Sequence, residues 1–233
     1  MTSAPLPPWL EPLLARVRTA RREDFTRVRT PESGGRDSAV LVLLGEDPVT
    51  GPDVLLLQRS ATLRNHAGQP AFPGGASDPE DADATATALR EAWEEVGLDA
   101  ASVTVLAHLP KLWIPVSDFV VTPVLAWWHR PHPVQPRQPA EVAHVVRLPV
   151  AELVDPANRL RVRHPSGWIG PAFEARGMLI WGFTGGVLAA LLRMAGWERP
   201  WPQDRVVDLP PVRSEPAPSA RTVDQTAGTT PAS

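Results

Sequence analysis

Apolar and polar positions along this chain alternate between two rhythms. Ala39 to Leu44 and Val54 to Gln58 are continuous apolar runs separated by Glu46-Asp47-Pro48-Val49-Thr50-Gly51-Pro52-Asp53, which predicts a strand, a turn and a strand buried on both faces. Val103–Leu109, Phe119–Trp127 and Val142–Leu148 read as further strands, the last followed by Pro149 and a short helix over 150–153. Between these strand groups the rhythm changes to that of a helix. Around Arg90–Leu98 the residues Thr85, Ala88, Leu89, Ala92 and Val96 fall on one face, and Glu91, Glu94 and Glu95 on the other. Trp9–Arg29 reads as an N-terminal helix carrying Arg16, Arg18, Arg21, Arg22, Arg27 and Arg29, and a last helix is centred on Gly185–Ala195. Strands, a helix, more strands and a closing helix predict an α/β domain with a mixed sheet covered on both faces.

Gly34-Gly35 and their polar neighbours in 31–37 mark a linker, so 1–35 is expected to be an N-terminal extension, with the main domain over 36–200. From Pro202 onward Pro, Ala, Ser and Thr dominate, and 201–233 is expected to be a disordered tail. No internal repeat is present. At 233 residues the chain can bury a full core. A net charge of −3 and a pI near 6.1 give no electrostatic basis for a nucleic-acid binder. The arginines of the N-terminal segment read as a solvated helix face; attraction of a polyanionic substrate or support of a homodimer is the lesser reading.

Cysteine is absent, which excludes disulfides, zinc–thiolate sites and thiol nucleophiles and agrees with a cytoplasmic protein. Lys111 is the only lysine, and there is no tyrosine. The N-terminus is broken by Pro5, Pro7 and Pro8 and carries no secretory pattern. The most apolar stretch, 180–197, is interrupted by Arg193 and falls short of the ~20 residues a membrane span needs. Of the nine tryptophans, Trp93 and Trp181 read as core; Trp127, Trp128 and Trp168 are candidates for substrate or partner contact.

The chemistry concentrates on the acidic helix face. Carboxylates at i, i+3 and i+4 repel one another, and a hard divalent cation relieves that repulsion. Just upstream, Phe72-Pro73-Gly74-Gly75 allows close backbone approach to a ligand or metal. Asp78, Asp81 and Asp83 are expected to cap the helix, direct ligation by Asp81 being the lesser alternative.

Gly74-Gly75, an acidic loop and Arg90-Glu91-x-x-Glu94-Glu95-x-Gly97-Leu98 resemble the Nudix box of the Nudix hydrolases. The loop is one residue longer than the general pattern, and no glutamate stands at the usual position upstream of Arg90. The segment Leu56 to Gly75, with Asp78 and Asp81 after it, is similar to the signature of the coenzyme A pyrophosphatase subgroup, Pro70 replacing its usual valine. Proline removes a backbone N–H, so a strand hydrogen bond is expected to be lost there. Ile114–Pro123, Glu141-Val142 and Ile180–Thr184 also resemble subgroup segments, so the likeness spans roughly residues 38 to 195.

The resemblance implies an α/β/α Nudix fold and an enzyme using Mg²⁺ or Mn²⁺. Glu91, Glu94, Glu95 and the Gly75 carbonyl would hold the metal, and Arg90 would orient a glutamate. The implied substrate is coenzyme A or an acyl-coenzyme A, cleaved to 3′,5′-ADP and (acyl-)4′-phosphopantetheine. Arg59, Ser60, Arg64, His66, Gly74, Gly75, Ser117 and Phe119 are its implied contacts; for Arg59, Arg64 and His66 a structural role stands equally open. Glu141 is either a general base or water-positioning acid, or a rim carboxylate. Two alternatives remain: another nucleoside diphosphate derivative or nucleotide (ADP-ribose, NADH, a nucleoside triphosphate), or a non-catalytic binding module of the same fold.

Overall fold

A computed structural model describes residues 6–31, 34–63 and 66–210. The chain enters through a short 3₁₀ turn and α1 (Glu11–Val17), then runs into β1 (Arg36–Asp47) and β2 (Gly51–Arg59). The short strands β3 (Pro70–Ala71) and β4 (Gly74–Ala76) precede α2 (Ala84–Val96). β5 (Val103–His108), β6 (Leu112–Ile114), β7 (Phe119–Trp128) and β8 (Val142–Pro149) complete the main sheet. After α3 (Val150–Val154) come β9 (Arg159–Arg163), β10 (Ile169–Ala175), β11 (Met178–Ile180), α4 (Gly182–Met194) and β12 (Val206–Asp208).

The main sheet runs β3-β2-β1-β7-β5, with β4 paired to β1, β6 to β7 and β8 to β2. Only β1 and β7 pair in parallel, so the sheet is mixed. Successive side chains of a strand point to opposite faces, and here both faces are covered. Ala39, Leu41, Leu43, Leu55 and Leu57 meet Ala88, Ala92 and Val96 of α2. Val42, Leu44, Val54 and Leu56 face the other way, onto Leu10 and Leu13 of the N-terminal segment and Val187, Leu188 and Leu191 of α4. This is the expected α/β/α sandwich.

Several local expectations are corrected. The N-terminal helix ends at Val17 rather than Arg29, and a 3₁₀ turn follows at Arg22–Asp24. The Asp24 carboxylate accepts from the Arg21 backbone N–H at 2.7 Å, offering the backbone an alternative to continued helix. Part of the expected disordered tail is ordered: Val206–Asp208 pairs in parallel with β9, and Leu209 packs on Leu160, Val162 and Ala172. The buried Arg159 adds an anchor, bonding Glu198 at 2.9 Å with its guanidinium between the rings of Phe173 and Trp201. Residues 211–233, the rest of that expected tail, lie outside the described residues.

Pro70 removes no ladder bond. The Arg59 N–H donates to the Gln69 carbonyl at 3.0 Å, so in the antiparallel alternation the adjacent pair Gln58–Pro70 is a non-hydrogen-bonded one. The proline nitrogen therefore points out of the β2–β3 ladder. The tryptophans also differ from expectation. Trp127 and Trp128 are core residues, Trp128 fully buried with its indole N–H on Ser102, whereas Trp93 is 53% exposed on the outer face of α2. Trp181 packs against the small third cluster, and Trp168 is exposed. No described helix is long and apolar enough to cross a membrane.

Candidate active site

The site is built where α2 lies across β1 and β4. Asp83 starts the helix, its carboxylate accepting from the Ala86 N–H at 2.9 Å. Gly97 ends it in the left-handed conformation, its N–H on the Trp93 carbonyl, and the Leu98 N–H returns to Ala92. The glycine and leucine closing the acidic motif are thus a helix stop and a core anchor, since Leu98 is buried. Ala88, Ala92 and Val96 fix the helix rotation by packing on β1, which turns the glutamates toward β4.

The acidic face is therefore less solvated than its sequence implies. The Glu95 side chain is only 4% exposed; it accepts from the Gly74 N–H at 3.0 Å and stands 4.0 Å from the Arg59 guanidinium. Burial, reinforced by the neighbouring Glu91 and Glu141 charges, pushes the Glu95 carboxyl up to about 8 against the opposing pull of Gly74 and Arg59. Burial also raises Glu91, opposed by Arg90. Gly75 is required opposite Glu91: a Cβ there would stand 2.5–2.8 Å from the Glu91 carboxyl atoms. Glu94 is the most open of the three.

Arg90 organises the cluster. Its Nε and Nη2 grip Asp81 at 3.1 and 3.0 Å, Nη2 also donates to the Ala76 carbonyl, and Nη1 reaches Glu91 at 3.0 Å and Glu94 at 3.5 Å. Asp81 is thus the partner of Arg90, whose hydrogen bonds hold its carboxyl down to about 2; Asp83, not Asp81, is the cap. Asp78 lies 3.6 Å from Arg90, and its own N–H bonds Asp81. The lengthened loop explains the missing glutamate: Asp81 supplies that charge from the loop rather than from the helix.

A shift of register between β2 and β8, where Gln58 faces His144 and Arg59 faces Val142, bends the start of β8. It brings the Glu141 carbonyl onto the Ser60 N–H at 2.7 Å, while the Arg137 N–H holds the Glu95 carbonyl at 2.9 Å. The loop bearing Glu141 is so tied to both β2 and α2. Arg90, Glu91, Glu94, Glu95, Gly74, Gly75 and Arg59 form one cluster, with Glu141 on its margin.

Other sequence candidates are engaged elsewhere. The Ser60 hydroxyl pairs with Thr62, and the His66 ring, on a residue with φ of 54°, bonds Gln69. Ser117 and Phe119 sit at the β6–β7 turn, where the Arg36 guanidinium covers the Phe119 ring at 4.2 Å and donates to the Ser117 carbonyl. Arg64 lies outside the described residues. Sequence reasoning missed Asp81 as the partner of Arg90; the only signal was its place in an acidic loop nine residues upstream.

Residues 35–167 match the NUDIX domain, more than half of the chain. The chain belongs to the Nudix hydrolase family. The uncharacterized Nudix hydrolase NudL of Cronobacter sakazakii is 40% identical over 172 residues, 71% of this chain and 85% of that protein. Its Escherichia coli K12 counterpart is 38% identical over 168 residues, covering 69% and 83%. Among solved structures, the Nudix hydrolase RenU of M. smegmatis superposes with a TM-score of 0.51 at 20% identity, covering 70% of this chain and 88% of that one, which supports the fold.

Nudix hydrolases generally use divalent metal ions, and the residues here fit one by their chemistry. Glu91, Glu94, Glu95 and the Gly75 carbonyl are hard oxygen donors, and Glu91 is a half-buried carboxylate whose carboxyl burial raises against the pull of Arg90. Among the described residues no three acidic or histidine side chains converge as a finished cage. Arg90 Nη1 instead bonds both Glu91 and Glu94, at 3.0 and 3.5 Å. A finished cage is not what Mg²⁺ requires, because that ion keeps several waters and binds through one or two carboxylates plus substrate phosphate.

Proposed function

We propose that this Nudix pyrophosphohydrolase cleaves coenzyme A or an acyl-coenzyme A at its diphosphate, giving 3′,5′-ADP and (acyl-)4′-phosphopantetheine. The observation that carries the reading is the continuity of two sequence signals in one place. The coenzyme A-like segment Leu56–Gly75 leaves β2 and returns through β3 and β4 directly against the glutamates of α2, with Gly74 and Arg59 on Glu95. The element that resembles a substrate signature thus borders the element that resembles a bond-cutting one.

In this reading Glu91, Glu94, Glu95 and the Gly75 carbonyl hold Mg²⁺ or Mn²⁺, which when bound supplies positive charge over the phosphate oxygens and acidifies water. Arg90, itself fixed by Asp81 and the Ala76 carbonyl, keeps Glu91 and Glu94 side by side. Gly74 orients Glu95 through its N–H. Glu141 takes the proton of the attacking water from the edge of the cluster. Arg64 and His66 would contact the phosphates, Ser60 supports the turn after β2 through its bond to Thr62, and Ser117 and Phe119 would bound the substrate from the sheet end.

The test is hydrolysis by the full chain with Mg²⁺ or Mn²⁺, using coenzyme A, acetyl-coenzyme A, ADP-ribose, NADH and nucleoside triphosphates. The expected products from the first two are 3′,5′-ADP and the (acetyl-)phosphopantetheine. Failure to cleave either coenzyme A form with both metals, alongside turnover of another substrate, overturns the substrate assignment. If no substrate is turned over and Glu94→Gln and Glu95→Gln change nothing, the chain is a binding module instead.

A further inference from the structure

Arg59 ends β2 on the face shared by Leu55 and Leu57, the face covered by α2. Alternation along the strand therefore directs its side chain toward the helix rather than away from the protein. The Arg59 side chain is more than two thirds shielded, its Nε is buried without a protein partner, and its Nη1 stands 4.0 Å from Glu95 Oε1. On the other side of the same carboxylate, the Gly74 N–H bonds Oε2 at 3.0 Å. Glu95 is thus held between one backbone donor and one cation, both from the strand–loop–strand unit that precedes α2.

The backbone of Arg59 is equally constrained. Its N–H donates to Gln69 and its strand partner across the shifted β2–β8 register is Val142, while Ser60 next to it binds the Glu141 carbonyl. A residue fixed on both sides and aimed at a buried carboxylate has little freedom to follow a substrate phosphate.

We propose that Arg59 is a positioning residue of the hydrolytic site: it sets the place of the Glu95 carboxylate, and it does not form part of the phosphate clamp. This rests on the reading of Glu95 as a member of the metal-holding set. It separates two functions within the arginine-bearing segment, Arg59 serving the bond-cutting machinery and the loop beyond it serving the substrate.

A double-mutant cycle with Arg59→Gln, Arg59→Lys and Glu95→Gln tests this. In the Arg59→Gln enzyme kcat is expected to fall at least tenfold while KM and the calorimetric affinity for 3′,5′-ADP change less than about threefold. Arg59→Lys, which keeps the charge, is expected to recover part of kcat. In the Glu95→Gln background Arg59→Gln is expected to remove little further activity. Circular dichroism and thermal melting of each variant establish that it is folded, and Arg59→Lys serves as the folded comparison should Arg59→Gln melt early. A KM raised tenfold with kcat intact, weakened 3′,5′-ADP binding, or fully additive losses would overturn the proposal. Coenzyme A and ADP-ribose are assayed in parallel: if only ADP-ribose is turned over, the coenzyme A assignment fails and the cycle still decides the role of Arg59.

Discussion

Alanine at each of two adjacent glycines is expected to separate folding from catalysis at the proposed site, with opposite outcomes. At Gly75 the three atoms nearest an added Cβ are those of the Glu91 carboxyl, at 2.5–2.8 Å where 3.4 Å or more is ordinary, so the carboxylate has to retreat by about 1 Å. The Gly75 backbone is not in the left-handed region, and an alanine there restricts the unfolded chain, a gain of roughly 0.4–1 kcal/mol that offsets the displacement. A misplacement of about 1 Å in a catalytic group costs on the order of 10²-fold in rate. At Gly74 the φ is 156°, and a Cβ would stand 2.4 Å from the Ala39 carbonyl and 2.6 Å from the Val40 Cα, which are backbone atoms of β1. The Val40–Gly74 pairing has to open and the bond to Glu95 weakens, together about 3 kcal/mol or more.

Calorimetric melting and hydrolysis at saturating metal, on coenzyme A and ADP-ribose, read both variants. Gly75→Ala is expected to melt within a few degrees of the parent and lose about 10²-fold in kcat. Gly74→Ala is expected to melt roughly 6–12 °C lower. The reasoning is refuted if Gly75→Ala retains activity within about threefold, or if Gly74→Ala melts with the parent.

Three further outcomes follow from the charges. Glu95, raised to about 8 by burial, binds a proton in the folded metal-free protein that the unfolded chain has released above about 4.5. Metal-free stability is therefore expected to fall as pH rises from about 5 to 8 and then level; Glu95→Gln should flatten that slope in a melting series, and an unchanged slope counts against it. Asp81, held at about 2 by Arg90, contributes stability present above the ordinary aspartate range and lost as pH falls through about 2. Asp81→Asn is expected to lose about 1–2 kcal/mol at neutral pH and more than tenfold in kcat, since Arg90 loses its anchor; denaturant titration and steady-state kinetics check it. Removing Glu198 strands the buried Arg159 guanidinium, so Glu198→Ala is expected to cost about 3 kcal/mol, most of it recovered in the Arg159→Met double variant by denaturant titration.

The principal strands, the box helix and its chemical character were legible because each depends on local periodicity. Runs such as Ala39–Leu44 have to be buried on both faces, and glutamates three and four apart have to share a helix face. Asp83 and Gly97 then mark the ends of α2 by their own backbone chemistry. The small sheet of β9 to β12 was missed although Arg159-Leu-Arg-Val-Arg163 alternates, because its partners are short and interrupted by Gly170 and Pro171. One partner, β12, lies wholly in a stretch whose composition alone reads as disorder.

The local sequence by itself determined that a helix with a carboxylate face follows a double glycine in an α/β/α domain, and family membership follows from that pattern. Only the tertiary structure decided which charges neutralise which. Arg90 lies closer in sequence to Glu91, Glu94 and Glu95 than to Asp81, yet the folding of the loop makes Asp81 its main partner. Glu95 and Arg59 lie 36 positions apart and meet only because β2 and α2 pack on a common face. Electrostatic partnership depends on distance and burial, and neither exists along a chain until the sheet and helices have closed on one another.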